Sequence, residues 1–271
     1  MFVDKTVMSL VRHLDFLKEN IIIMVKLLTE FKASFYSVIF EQFFFTIINV
    51  FMFSVLFTNF GEVIGWSFTD FILFLILFDF FEVFIGIFFW NDWLKIEIIN
   101  GSFNLRNTKP LNVYWNTYFS KLSHYALLYT VLTFFIYSFF ILYFSIELFN
   151  IFLGIGVFLL IGIFWISFSE FIRSLDWFFL GLSQIVWQPL NRLNYGFRTF
   201  PSPFFKSFNF KFLFFFFPVY LLGDVLLPIL KGEEVLNLMS YIWFLVIGIV
   251  VLITCTSVAW RYGLSKYEAY G

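Results

Sequence analysis

Six long apolar runs dominate this sequence of 271 residues and constrain its fold more than any other feature. A helix needs about 20 consecutive apolar residues to cross the hydrocarbon core of a bilayer. Charged residues make up only 13% of the chain, against about 25% in an average globular protein, so a polar surface cannot cover all the runs. We therefore predict an all-α polytopic membrane protein, with transmembrane helices near residues 36–59, 70–90, 124–146, 149–170, 211–230 and 237–259.

The net charge and the counts of Cys and His exclude several other classes of protein. The formal net charge is -1, so the chain as a whole has no basic field for nucleic acid. The single cysteine, Cys255, excludes an internal disulfide framework and a cysteine-based zinc cluster. His13 and His124 are far apart and give no metal-ligand spacing. We expect neither a nucleic-acid partner nor a metal site.

Residues 1–33 predict an amphipathic helix. At about 100° per residue, one side of this helix carries the apolar residues Leu10, Leu14, Leu17, Ile21, Met24 and Leu28. The opposite side carries Lys5, Arg12, Asp15, Glu19, Lys26 and Glu30. The same spacing suits a short coiled coil, but a helix lying in the cytoplasmic headgroup plane is the preferred interpretation. Residues 34–271 then form a single transmembrane domain.

A further apolar run, residues 177–190, decides the topology. With six spans and a cytoplasmic N-terminus, every Lys and Arg except Lys231 lies on the cytoplasmic side, as the positive-inside rule favours. A seventh span would move a group of cationic residues outside: Arg192, Arg198, Lys206, Lys211, Arg261 and Lys266. We therefore predict six spans, both termini cytoplasmic, and a cytoplasmic interfacial segment at residues 172–210, with run 177–190 either interfacial or partly inserted.

Two acidic residues, Asp79 and Glu82, lie near the middle of the second predicted span, three positions apart and so on one helix face. Charges in a bilayer are costly and usually face a bundle interior or an aqueous cavity. One interpretation is a proton or cation relay, or a polar stripe along a substrate path. The other is structural: a protonated or paired carboxyl group bonded to a neighbour such as His124, Asn49 or Tyr143.

The loop between spans two and three, residues 91–115, carries the clearest local signals. Asn100-Gly101 predicts a turn, and Pro110 ends any short helix before it. Arg106 and Lys109 give the loop positive charge, which alone is typical of any cytoplasmic loop.

Several short motifs together resemble one branch of the ABC-type export permeases. In the loop, Gly101, Lys109, Pro110 and Leu111 match, whereas Asn104 and Asn107 stand where the family usually has an acidic and an aliphatic residue. Later matches follow in the same order: Phe200-Pro201, Pro218, Pro228 with Leu230, and the ending that runs from Trp260 through Gly263 to Gly271.

The resemblance implies a six-helix half-transporter in the plasma membrane, working with separate ATPase subunits and a second permease subunit, identical or homologous. Residues 1–33 would be its elbow helix. The 91–115 loop, with Gly101, Arg106, Lys109 and Pro110, would be the coupling element that the ATPases grip. The chain has no G-x-x-x-x-G-K-[ST] stretch, so ATP and Mg would bind to the partner ATPase, and the permease itself would be no enzyme and carry no cofactor.

Two other functions stay open from the sequence. The first is a stand-alone transporter driven by an ion gradient, with Asp79 and Glu82 as the relay. The second and weaker one is a polytopic membrane enzyme, for which no nucleophile with a nearby base stands out. The short outer loops favour lipids, hydrophobic peptides or drugs over sugars as the substrate, and they do not identify it.

Overall fold

The structure is a computed structural model, and it is built from helices that follow the apolar runs. It describes residues 15–16, 18–19, 21–23, 26, 30, 32–60, 65–88, 93–108, 112–119, 126, 130–131, 133–135, 138, 146–199 and 217–267. Most of the predicted elbow helix, most of the third span and the Phe200-Pro201 motif lie outside these residues.

The helices are, in chain order, α1 (Lys32–Phe60), α2 (Phe68–Gly86), α3 (Trp93–Ile99), α4 (Phe103–Asn107), α5 (Val113–Phe119), α6 (Leu148–Ser174), α7 (Leu182–Thr199), α8 (Pro218–Leu221), α9 (Leu227–Lys231) and α10 (Leu238–Lys266). A 3-10 turn, Leu175–Trp177, follows α6, and a π-helical turn, Leu222–Leu226, joins α8 to α9.

Two of the described helical stretches are long and apolar enough to cross a membrane, Leu148–Trp177 and Leu238–Lys266. A shorter apolar stretch, Ile47–Asn59, lies within α1. Helix α2 is equally apolar in its core but carries Asp70, Asp79 and Glu82. The described residues therefore support membrane-spanning helices, and the count of six spans and the position of the termini stay predictions.

Helix α6 lies at the centre of the main hydrophobic core. It packs against α2, α10 and the α8–α9 segment, and the fully buried side chains include Phe78, Ile161, Trp165 and Leu222. Helix α1 joins this bundle through α2 alone among the stronger contacts, with the ring of Phe53 packed on Phe71 at a centroid distance of 4.2 Å. The aromatic richness of the sequence is thus used for ring packing between helices.

The ends of two helices differ from the predicted span ends. Helix α2 begins with a capping box, in which Ser67 and Asp70 bond each other's backbone N–H groups, and ends at Gly86 rather than 90. At about 1.5 Å per residue, Glu82 lies near the end of α2 rather than near its middle. Helix α10 continues to Lys266, beyond the last apolar residues of the run.

The apolar run 177–190 is not one helix. Gly181 has φ of +88°, a left-handed conformation that interrupts a right-handed helix, and α7 begins only at Leu182. The buried carboxylate of Asp176 accepts hydrogen bonds from the backbone N–H of Gly181 (3.1 Å), the backbone N–H of Ser183 (2.9 Å) and the Ser183 hydroxyl (2.6 Å). These bonds fix the turn between α6 and α7.

Candidate functional site

The candidate site is the α3–α4 loop and the surface of the bundle that receives it. Gly101 joins the two short helices with φ of +68°, a conformation that side-chain-bearing residues rarely adopt. The turn also holds a backbone hydrogen bond of 2.9 Å from Asn100 N–H to the Ile96 carbonyl. The Asn-Gly pair therefore forms the turn that the sequence predicts.

The loop has two faces with different surroundings. Leu94, Ile98 and Phe103 are buried against the bundle. Three other apolar side chains are exposed: Ile96, Ile99 and Leu105. An apolar side chain that faces away from its own protein is a common mark of a binding surface when several lie together.

Phe103 lies at the centre of what we call the aromatic cluster, which comprises Phe103, Tyr114, Trp177, Trp260 and Tyr267. The centroid of the Phe103 ring lies 5.3 Å from that of Trp177 and 5.1 Å from that of Tyr267. Trp260 lies 5.3 Å from Trp177 and 5.1 Å from Tyr114. The interplanar angles, 74° to 82°, are the edge-to-face geometry that aromatic rings favour.

Gly263 allows the cluster to close on α10. A Cβ atom at this position would overlap Cδ2 and Cγ of Trp177, far inside van der Waals contact. Those atoms belong to the root of the indole ring, which cannot swing away as the tip of a flexible side chain does. Trp260 and Gly263 are three residues apart and share one face of α10, so together they form a seat for Trp177.

A polar contact ties the loop to α7 as well. The ammonium group of Lys95 donates a hydrogen bond of 2.9 Å to Oε1 of Gln184, close to the Asp176-capped turn. The loop thus contacts the starts of both elements that follow α6, and the far end of α10. A displacement of the loop would therefore act on the 3-10 turn after α6, on the start of α7 and on the C-terminal end of α10.

The structure places the predicted loop residues unevenly. Gly101 is at the turn, and the backbone of Arg106 lies in α4, although its side chain is not described. Lys109 and Pro110 lie outside the described residues. Their proposed contact with a partner therefore stays a prediction.

Asp79 and Glu82 are half-buried on α2. Oε1 of Glu82 accepts a hydrogen bond of 2.6 Å from Nδ2 of Asn194 on α7, and Asn194 is fully buried. The partner of Glu82 is thus a residue that the sequence did not suggest. The bond joins α2 to α7, which favours a structural role for this carboxylate.

We call the end of the bundle that carries the loop the loop end, and the end that carries residues 65–70 and 231–237 the opposite end. At the opposite end, Nζ of Lys231 lies 2.9 Å from Asp70 and 2.6 Å from Glu233. Burial lowers the pKa of Lys231, but its hydrogen bonds to Glu233 and Asp70 outweigh that effect and raise the pKa above its ordinary value. Cavities of about 530 Å³ and 570 Å³ adjoin these charges.

A sequence-family model described as ABC-2 family transporter protein matches residues 22–271. This chain belongs to the ABC-2 transporter family. Its match covers the loop, the aromatic cluster and both membrane-length helices. No curated protein and no solved structure matches the chain.

Family membership identifies the ABC-2 protein as a membrane permease subunit rather than the ATPase. ABC-2 permeases generally work with ABC ATPase subunits and form dimers. In the part of this ABC-2 permease that the structure describes, no group of three or more His, Cys, Asp or Glu side chains has a geometry that would hold a metal ion.

Sequence reasoning missed three residues that build the site: Asp176, Trp177 and Asn194. The stretch from Asp176 to Ser183 contains Asp, Gly and Ser, which are residue types that indicate a turn. Trp177 and Asn194 have no comparable signal, because their partners, Gly263 and Glu82, are distant in the sequence.

Proposed function

We propose that this ABC-2 permease moves a substrate outward across the cell membrane by coupling to a separate ATPase subunit. In this proposal the loop end faces the cytoplasm and the chain's termini lie on the same side. The 91–115 loop receives the closing motion of the ATPases. ATP and Mg²⁺ bind to the ATPase, and the permease responds to its movement.

The observation that carries the proposal is the burial of Phe103 in the aromatic cluster. Its ring contacts Trp177 and Tyr267 directly and lies 6.4 Å from Trp260. A loop that only connected two spans would need no such anchor. An anchored loop can pass a push to α10, because closely packed interiors have low compressibility.

The exposed face of the loop supports the position of the partner. Ile96, Ile99 and Leu105 are exposed beside the anchored face. In the proposal these side chains dock into the ATPase, and Arg106 and Lys109 provide the charged rim. An apolar centre with a charged rim is the usual arrangement of a specific protein interface.

Helix α1 supports the presence of a second permease subunit. Among the described side chains of α1, Phe53 and Phe57 pack against α2, whereas several apolar side chains are exposed, among them Phe40, Phe44, Ile47, Phe51 and Val55. In a dimer with two-fold symmetry the same face of each subunit meets at the axis. An identical or a homologous partner satisfies this requirement equally.

The ion-gradient alternative relies on Asp79 and Glu82. Because Glu82 is bonded to Asn194, we assign Glu82 to packing between α2 and α7, which leaves the proposed relay without one of its two carboxylates. The double variant Asp79→Asn, Glu82→Gln separates the two functions: it should leave ATP-dependent export in place. Loss of a pH-driven transport activity in this variant, with transport independent of any ATPase, would support the alternative instead.

The direct test purifies the full permease in mild detergent together with the chains that bind to it. We expect a P-loop ATPase in about equal amounts, identified by mass spectrometry, and ATP hydrolysis by the complex. Leu105→Asp should release the ATPase, because the charge removes an apolar contact from the interface.

Leu236→Asp is the matched control. Leu105 is 69% exposed at the loop end, and Leu236 is 86% exposed at the opposite end. The control should keep the ATPase bound. Equal ATPase recovery with Leu105→Asp and the unchanged chain would contradict the proposed docking face, and transport by an ATPase-free permease would contradict the proposal as a whole.

A further inference from the structure

A cavity of about 460 Å³ lies between α5, α6 and α10 at the loop end. Trp115 and Tyr118 of α5 form one wall, Glu170 of α6 forms the back, and Thr256 and Arg261 of α10 form the other side. The cavity is separate from the exposed face of the loop. It adjoins the aromatic cluster, because Tyr114 and Trp260 line both.

One residue of the cavity lining carries a buried hydroxyl group without a partner in the part of the chain that the structure describes. Thr256 is only 6% exposed, and its Oγ1 has no hydrogen-bond partner among the described residues. Thr254, two residues earlier on the same helix, donates instead to the carbonyl of Val250 at 2.7 Å. A buried hydroxyl without a partner is costly, so an acceptor in the cavity would stabilise Thr256.

The charges around the cavity favour an anionic ligand. The carboxylate of Glu170 is already bound by the guanidinium of Arg173 on the same helix. Arg261 adds a second guanidinium at the rim, where it is exposed. Burial raises the pKa values of Tyr114 and Tyr118, so both phenols stay protonated and able to donate. The lining thus offers a cation and several hydroxyl donors.

The apolar surface beside the cavity continues along the bundle. Ile253 and Ile166 line the cavity. One turn further along, Val250 on α10 and Ile163 on α6 are both exposed and lie on the same helix faces as the two lining residues. A cavity that combines a few polar groups with a largely apolar lining, and that continues into an apolar strip, matches a molecule with a charged headgroup and hydrocarbon chains.

We propose that this cavity binds the phosphate headgroup of an anionic phospholipid, with the acyl chains lying along the strip formed by α6 and α10. Arg261 and the Thr256 hydroxyl contact the phosphate oxygens. Bound lipid braces Tyr114 and Trp260, and so supports the aromatic cluster from the side that the loop does not cover. The site does not depend on the proposed export function.

The test measures quenching of tryptophan fluorescence by phosphatidylglycerol with brominated chains, added to the full permease in detergent micelles. Trp115 lies in the cavity and should give a saturable component. Trp115→Phe should reduce that component, and the part that remains should come from Trp260, the other tryptophan of the lining. Trp243→Phe is the matched control: Trp243 is an exposed tryptophan of α10 away from the cavity, and its loss should leave the saturable component in place.

Two further variants test the headgroup contacts. Arg261→Gln should weaken saturable binding about tenfold, the effect of one lost charge-assisted hydrogen bond, and Thr256→Val should weaken it severalfold without changing the size of the side chain. Lys266→Gln removes a cation from the same end of α10 but outside the cavity lining, and it should bind as the unchanged chain does.

Three outcomes would overturn the proposal. Brominated phosphatidylcholine that saturates at the same concentration would show that the headgroup charge is not recognised. Displacement of the lipid by millimolar glycerol phosphate would identify the ligand as a free phosphate ester. Unchanged binding in both Arg261→Gln and Thr256→Val would place the lipid elsewhere. None of these results bears on whether an ATPase binds to the loop.

Discussion

At the loop end, five aromatic side chains pack edge to face, with neighbouring centroids 5.1 to 5.3 Å apart along the main contacts. At the opposite end, Lys231 bridges Asp70 and Glu233 across N–O distances of 2.9 Å and 2.6 Å. The rings are buried or half-buried, whereas Lys231 and Glu233 are exposed.

The difference teaches how the two ends can move. Ring packing loses most of its energy after a small separation, because dispersion attraction falls steeply with distance. An exposed ion pair contributes little and is screened by salt. The loop end is therefore suited to transmit a displacement, and the opposite end is suited to open at small cost.

The largest expected effect comes from Phe103→Ala. Removal of a fully buried ring from the aromatic cluster should lower the free energy of unfolding by about 3–5 kcal/mol, measured by denaturant unfolding in detergent. Phe149→Ala, at an exposed position of α6, should change it by less than about 0.5 kcal/mol. Similar losses in the two variants would contradict a special contribution of the aromatic cluster to stability at the loop end.

A smaller loss is expected from Gly263→Ala, because the new methyl group collides with the root of the Trp177 indole. Overpacking of this kind costs about 1–3 kcal/mol. Gly156→Ala on α6 is the control, since a Cβ atom there meets nothing within 4 Å. This control should be neutral or stabilising by up to about 1 kcal/mol. An equal loss of stability in both variants would contradict the proposal that Gly263 makes room for the Trp177 ring.

Lys231→Gln should cost about 1 kcal/mol or less at low salt, because the ion pairs it removes are partly exposed. The thermal midpoints of the variant and the unchanged chain should converge at about 1 M salt. Lys266→Gln is the control at the loop end, and it should cost less stability at low salt than Lys231→Gln does. A difference in thermal midpoint that persists at high salt would contradict the ion pairs as the main contribution of Lys231 to stability.

The smallest effect concerns pH. The pKa of Lys231 is raised, so its contribution to stability is complete below the unfolded value and is lost as pH rises through the higher folded value. The stability difference between Lys231→Gln and the unchanged chain should therefore be flat from about pH 7 to about pH 9 and should shrink above about pH 10.5. A slope near neutral pH would point to a different titrating group.

The helices could largely be predicted from the sequence, because an apolar run of sufficient length has few alternatives in a bilayer. Helices α1 and α6 contain their predicted spans, and α10 covers its predicted span except for the first residue, Asn237. The ends of α2 and α10 could not be predicted by hydropathy. Helix α10 continues past its apolar run because Trp260 and Gly263 pack against Trp177, a contact that no local pattern reveals.

The candidate site could be predicted only where it depends on local sequence patterns. The Asn-Gly turn is a local property, and Gly101 forms it with a positive φ. A polar residue in an apolar run indicates that a partner is needed, as for Glu82, but not which one. Asn194 lies on α7, and the turn at Asp176 sets how α7 lies relative to α2. This pairing cannot be inferred from the spacing of residues in the sequence.

Helix α10 has 29 residues and no proline, which gives a rod about 43 Å long. Its last turns carry Trp260 and Gly263, and its first turn lies beside the charges of the opposite end. As a lever pivoting near the aromatic cluster, such a rod would convert a tilt of about 5° into a shift of about 4 Å at its far tip. A small movement of the loop would thereby become a displacement large enough to separate the ion pair at the opposite end of the bundle.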